Sequence, residues 1–120
     1  MFKVTVQGVF SAAHHVRGYQ GDCAGDHGHS YRIEVGVRVE KLDKIGMAVD
    51  FRKVKNELKK ILARLDHQNL NRLPFFRRNN ATAEWVAVYI FREMKKKIKQ
   101  VHLVKVWEGY DNSVTYREDK

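Results

Sequence analysis

The sequence predicts an α+β fold: a four-stranded antiparallel sheet with two helices on one face, in the order strand, strand, helix, helix, strand, strand. Three observations carry this. Apolar residues alternate with polar ones over two long N-terminal stretches, the spacing turns helical from Phe51, and alternation returns after residue 100. Strands and helices that are segregated along the chain favour an antiparallel sheet covered by helices on one side.

Phe2, Val4, Val6, Gly8, Phe10, Ala12 and His14 share one parity, as one face of a long strand does. His29, Tyr31, Ile33, Val35, Val37 and Val39 repeat the pattern. Arg32, Glu34, Arg38 and Glu40 fall between them and give that strand a wet face. Asp50 stands at the N-cap position of a first helix. Its stripe is Val54, Leu58, Ile61, Leu62 and Leu65. A second stripe comprises Ala87, Ile90, Phe91, Met94 and Ile98. VHLVKVWEG and NSVTYRE then read as two short strands with Asp111-Asn112 near the turn. In the third strand Val101, Leu103 and Trp107 lie on the opposite parity from Val104 and Val106. That strand therefore reads as apolar on both faces, and the second face is expected to be buried in a homo-oligomer.

The 120 residues are 43% hydrophobic with one proline and no linker-like segment, which predicts a single domain over 1–120. The alternating N-terminus with Lys3 reads as a strand rather than a signal peptide. No apolar run approaches the length of a membrane span. One cysteine excludes an intrachain disulfide and fits a cytoplasmic setting. With 23 Lys+Arg against 14 Asp+Glu, the formal charge of +9 favours anionic partners: nucleic acid, a membrane surface or a phosphorylated small molecule. The densest basic run, Lys95 to Lys97 with Lys99 beyond, reads as a solvated helix end whose cations suit the dipole. No aromatics interleave with it and no nucleic-acid reader motif appears, so a zinc-stabilised nucleic-acid module is a remote reading.

The candidate chemistry begins at CAGDHGHSY. His27 and His29 are two apart and project the same way in extended chain. Gly28 between them is expected to let the backbone approach an ion. His14 ends the first strand on its apolar parity. A hairpin of the first two strands, closed by the glycine-containing loop from His15 to Asp26, brings the three imidazoles to one end. Three neutral histidines with an open fourth position suit a catalytic zinc. Cys23 has two readings: a fourth ligand closing a structural site, or a thiolate held just outside the metal's first shell. The alternative is polar loop histidines with no ion. In LDHQNLN, Asp66 beside His67 is either a carboxylate–imidazole pair for acid–base work or a helix end followed by a surface histidine. Glu108 shares parity with Val104 and Val106, where a carboxylate needs a salt bridge or the N–H groups of a bound heterocycle.

FSAAHHV, CAGDHGHSY, LDHQNLN, NNATAEW and VKVWEG, in this order, resemble the motifs of the 6-pyruvoyl-tetrahydropterin synthase / 6-carboxy-tetrahydropterin synthase family. The resemblance covers the chain end to end. It implies a T-fold whose subunits close a barrel as a trimer, usually paired into a hexamer. It implies one zinc per subunit on His14, His27 and His29. Cys23 matches the proton-abstracting cysteine, and His67 backed by Asp66 matches the relay histidine. Glu108 matches the glutamate that holds the pterin and is counted in the relay. Thr82 and Glu84 match a segment near the pterin. The implied activity is a lyase reaction on 7,8-dihydroneopterin triphosphate, in the cytoplasm, with neither nucleic acid nor membrane as partner.

The three residues between Cys23 and His27 resemble the 6-carboxy-5,6,7,8-tetrahydropterin synthases of 7-deazaguanine (queuosine and archaeosine) biosynthesis, which release acetaldehyde and triphosphate. The pyruvoyl-forming enzymes carry a longer gap by the same resemblance. Asp22, just before Cys23, keeps open a side-chain cleavage giving 6-hydroxymethyl-dihydropterin.

Overall fold

A computed structural model describes residues 1–19 and 25–118. Strand β1 (Phe2–His14) leads to β2 (His27–Val39), helix α1 (Phe51–Leu65), a short helix α2 (Pro74–Arg78), α3 (Ala83–Lys97), β3 (Val101–Glu108) and β4 (Asn112–Arg117). The four strands form one antiparallel sheet in the order β1-β2-β3-β4. The alternation therefore gave the four strands and the first hairpin correctly; the β2–β3 pairing comes from the structure. The connection between the two long helices holds more than the sequence predicted. A 3-10 turn at Leu70–Arg72 and α2 occupy it, both too short to show a period.

Asp50 caps α1 by accepting the Arg52 N–H at 2.9 Å, a contact typically contributing about 1 kcal/mol. Val54, Leu58, Ile61, Leu62 and Leu65 are buried against β1, each leucine or isoleucine contributing roughly 1.5–3 kcal/mol by leaving water. Gly8 permits this approach: a Cβ there would lie 2.7 Å from Leu62 Cδ1. Thr82 caps α3 by accepting the Trp85 N–H. Lys95 to Lys97 fill the last turn of α3, as the charge reading expects. Lys95 donates to the Val101 carbonyl, and Lys96 pairs with Glu93.

One expectation for the sheet needs correction. The register slips between Gly36 and Val37, so that Val35 faces Val104 while Val37 faces Val101. This β-bulge turns Val101 to the helix side, where it is fully buried with Val104 and Val106. The third strand is therefore not apolar on both faces. On the helix-free face Leu103 lies over Gly36, whose missing Cβ would meet it at 3.0 Å. The Trp107 ring is flanked by the Arg32 guanidinium at 4.8 Å and the Lys105 ammonium at 4.6 Å. That face is mainly polar and gives no hydrophobic reason for association. Strand β4 is an open edge, and β1 is open except near Ser11–Ala13, where residues following α1 bond to it.

Candidate metal centre and adjoining cleft

The β1–β2 ladder fixes the three histidines. His14 is the register partner of His27, and Ala12 that of His29, so all three rings sit at one end of the hairpin. Their centroids lie 4.5–5.0 Å apart. Gly28 lies within regular strand with no atom within 4 Å of a Cβ placed there. The alternation of the strand aligns the histidines on either side of it.

Two rings are oriented from behind. His14 Nδ1 donates to the Ala81 carbonyl at 2.6 Å, and His27 Nδ1 to the Gly25 carbonyl at 2.8 Å. A proton on Nδ1 leaves the Nε2 lone pair free, the tautomer a metal ligand needs. The Nε2 atoms of His14, His27 and His29 are all buried without a hydrogen-bond partner. Buried polar atoms are seldom left so, and three together form a group that could hold a cation. Burial is the largest influence on His14 and lowers its pKa, which keeps that imidazole neutral and able to coordinate.

Glu108 completes the group. One ligand atom from each of His14, His27, His29 and Glu108 lies within 4.8 Å of the others. The Glu108 carboxylate reaches 3.0 Å from His29 Nε2, although not in hydrogen-bond geometry. Sequence reasoning offered this carboxylate an ion pair or a heterocycle and did not place it among the histidines. Only the β2–β3 register, which sets Glu108 opposite Tyr31, makes the meeting visible. Tyr31 stacks on Phe10 at 4.7 Å beneath the cluster, and burial followed by the nearby Glu108 charge keeps its phenol protonated.

The Asp66–His67 corner is attached to the same end of the sheet. Residues after α1 run alongside the outer edge of β1: His67 N–H donates to Ser11 O at 2.6 Å, and Ala13 N–H to Gln68 O at 3.0 Å. Asp66 accepts the Ser11 N–H at 2.9 Å and lies 3.0 Å from His67 Nδ1. The Ser11 contact is the largest influence holding its carboxyl pKa low. His67 adopts a left-handed φ of 58°. Its side chain is 82% exposed, so the plain reading of a helix end followed by a surface histidine describes its solvent contact. Even so, His67 and His29 line one open cleft of about 510 Å³ with Ser11, Gly28 and Ser30.

Glu84 and Glu108 line a smaller cleft of about 220 Å³ with Ala83, Asn112 and Ser113. Thr82 spends its hydroxyl on the helix cap. Cys23 and Asp22 lie outside the described residues. The described ends of their loop are tied down by side chains that sequence reasoning passed over. His15 Nδ1 meets Asp26 at 2.7 Å, and the Asn71 amide bonds both the N–H and the carbonyl of His15. The Asn80 amide does the same for Arg17. Asn80 within NNA and Asn71 at the end of DHQNLN were the available signal, but an amide gives no hint of a partner more than 50 residues away.

Comparison with known proteins places the chain in a family. A 6-carboxy-5,6,7,8-tetrahydropterin synthase of Rickettsia typhi is 32% identical over 115 residues, covering 82% of this chain and 83% of the relative. A 6-pyruvoyl tetrahydrobiopterin synthase of Dictyostelium discoideum is 33% identical over 100 residues, covering 81% and 74%. The solved 6-pyruvoyl tetrahydropterin synthase of Caenorhabditis elegans superposes with a TM-score of 0.85 at 32% identity, covering 99% of this chain and 98% of that one. The family model described as 6-pyruvoyl tetrahydropterin synthase matches residues 3–119, and the chain belongs to that family.

Proposed function

We propose that the chain is a zinc-dependent 6-carboxy-5,6,7,8-tetrahydropterin synthase. It would convert 7,8-dihydroneopterin triphosphate and water to 6-carboxytetrahydropterin, releasing acetaldehyde and triphosphate, for 7-deazaguanine biosynthesis. The observation that carries this reading is the convergence of three partnerless Nε2 atoms at one end of a hairpin. The donor set of three imidazoles fits zinc, with one position left for substrate. When bound there, zinc supplies Lewis acidity toward the hydroxyl-bearing side chain of the pterin. Cys23 removes a proton from that side chain, and His67, oriented by Asp66, gives or takes the other. Glu108 accepts hydrogen bonds from the ring N–H groups, beside the first turn of α3 where Thr82 and Glu84 stand. The net charge of +9 favours capture of a triphosphate.

The active unit in this reading is a trimer or hexamer. Pairing the uncovered part of β1 in one copy with β4 of the next would satisfy those edges, and a neighbouring copy would cover the exposed His67. Relatives named for the pyruvoyl product match as well as those named for the carboxy product, so pyruvoyl formation is the second reading. The short Cys23–His27 gap favours the carboxy branch. Incubation with dihydroneopterin triphosphate, followed by mass analysis of the pterin, decides. The carboxy product with acetaldehyde is expected. A pyruvoyl product selects the second reading, and a 6-hydroxymethyl product points to cleavage assisted by Asp22. Cys23→Ala should lose product while keeping its zinc; loss of zinc would make Cys23 a ligand.

A further inference from the structure

Glu108 stands between two places that can use its charge. Its Oε1 lies 3.0 Å from His29 Nε2 with no hydrogen bond between them. Two atoms bound tetrahedrally to one zinc at about 2.0–2.1 Å are roughly 3.3 Å apart. The contact is thus close to what a shared cation produces, and Glu108 is the one acidic side chain whose ligand atom falls within the histidine group among the described residues. The same side chain also lines the 220 Å³ cleft with Glu84 and Asn112. Its β3 position is followed at once by Gly109, whose φ of 71° turns the chain out of the strand. Glu108 is therefore the last side chain of β3 and has neighbours on both sides.

We propose that Glu108 exchanges partners. In the pterin-free protein it completes the three-histidine site as a fourth ligand. When the heterocycle enters the smaller cleft, Glu108 turns to accept its N–H groups, and the fourth position is freed for the substrate's own side chain. Ring recognition then opens the coordination site only when a pterin is present. This rests on the pterin reading above. It carries a thermodynamic consequence of its own: a ligand with the ring but no side chain must weaken metal binding, and the metal must weaken that ligand by the same factor.

The test uses the intact protein, zinc, a competing chelator and unsubstituted pterin, which has no side-chain hydroxyls. Zinc affinity is measured for the wild type and for Glu108→Gln, each with and without saturating pterin. The variant should hold zinc at least ~10-fold more weakly, as losing a partner of the metal site does. Pterin should weaken zinc binding to the wild type by ~5–150-fold, the usual range of coupling between sites, and leave the variant unchanged. Equal zinc affinity in the two proteins removes Glu108 from the ion and overturns the exchange. Pterin that binds the wild type equally well with and without zinc makes Glu108 a fixed ligand and also overturns it. Pterin that binds neither form overturns the exchange together with the pterin reading. An unexpected product from the triphosphate substrate, with the antagonism intact, corrects the reaction alone. The pterin arm needs only wild-type protein, so a misfolded variant does not spoil it.

Discussion

His14 is 2% exposed, and its Nδ1 is held by a backbone carbonyl; His67, at the cleft it shares with His29, is 82% exposed, and its Nδ1 meets a carboxylate that is itself 42% exposed. The first histidine belongs to a ladder and the second to a corner. Ladder register places the candidate metal-binding group within one chain. The corner has a fixed backbone, through the Ser11 contacts, but an uncovered side chain. A donor set for a metal must be correct before the metal arrives. In the proposed reading, Asp66 and His67 need only be correct once substrate and a neighbouring copy have excluded water.

The sharpest break in this comparison is His27→Ala. Removing a ligand should cost more zinc affinity than the ~10–100-fold typical of losing an outer-shell partner, and elemental analysis should find the purified variant without metal. Zinc retained in that variant would mean the ladder does not build the site. Next is His67→Ala, for which turnover should fall ~10²–10⁴-fold while zinc content stays the same. A fall in both would merge the two regions into one.

A smaller effect is expected from Gly8→Val. The new side chain meets Leu62 and Leu58, and overpacking of this kind costs about 1–3 kcal/mol, visible as a lower Tm. Because α1 carries the corner and not the ladder, turnover should drop less than in His67→Ala, again with zinc retained. The smallest effect is a pH dependence. The Asp66 carboxyl is held below its ordinary 3.8, chiefly by the Ser11 N–H. A depressed carboxyl pKa stabilises the fold above the unfolded value and loses that contribution as pH falls through the folded one. Urea unfolding should therefore show wild type more stable than Asp66→Asn from neutral pH down to about 5, with the gap closing below about 4. A gap that widens in acid would refute the Ser11 contact as its source.

The ladder was legible in the sequence because a strand has a fixed period. His14, His27 and His29 could be placed at one hairpin end from parity alone, and the structure puts them there. The corner was half legible. Asp66 and His67 were named as a pair, but their docking on Ser11 depends on how α1 crosses the sheet, which no local pattern encodes. Glu108 was placed at the end of an apolar face, yet its approach to His29 crosses two strands and nearly 80 residues. The bulge beside Gly36 was hidden for a related reason. One extra residue reverses the parity on which the apolar-second-face expectation rested, and nothing in VHLVKVW marks where it is inserted.

That bulge also separates two jobs within β3. From Leu103 to Glu108 the strand keeps strict register with β2, so the site end is fixed by six consecutive pairings. On the other side of the slip, Val101 meets Val37 in a shifted register and is held by the core and the turn leaving α3. The irregularity works as an expansion joint. A residue gained or lost between α3 and β3 can be taken up there without travelling along the strand to Glu108. Length variation in this family should therefore collect between residues 97 and 103, while the stretch from Leu103 to Gly109 keeps its length.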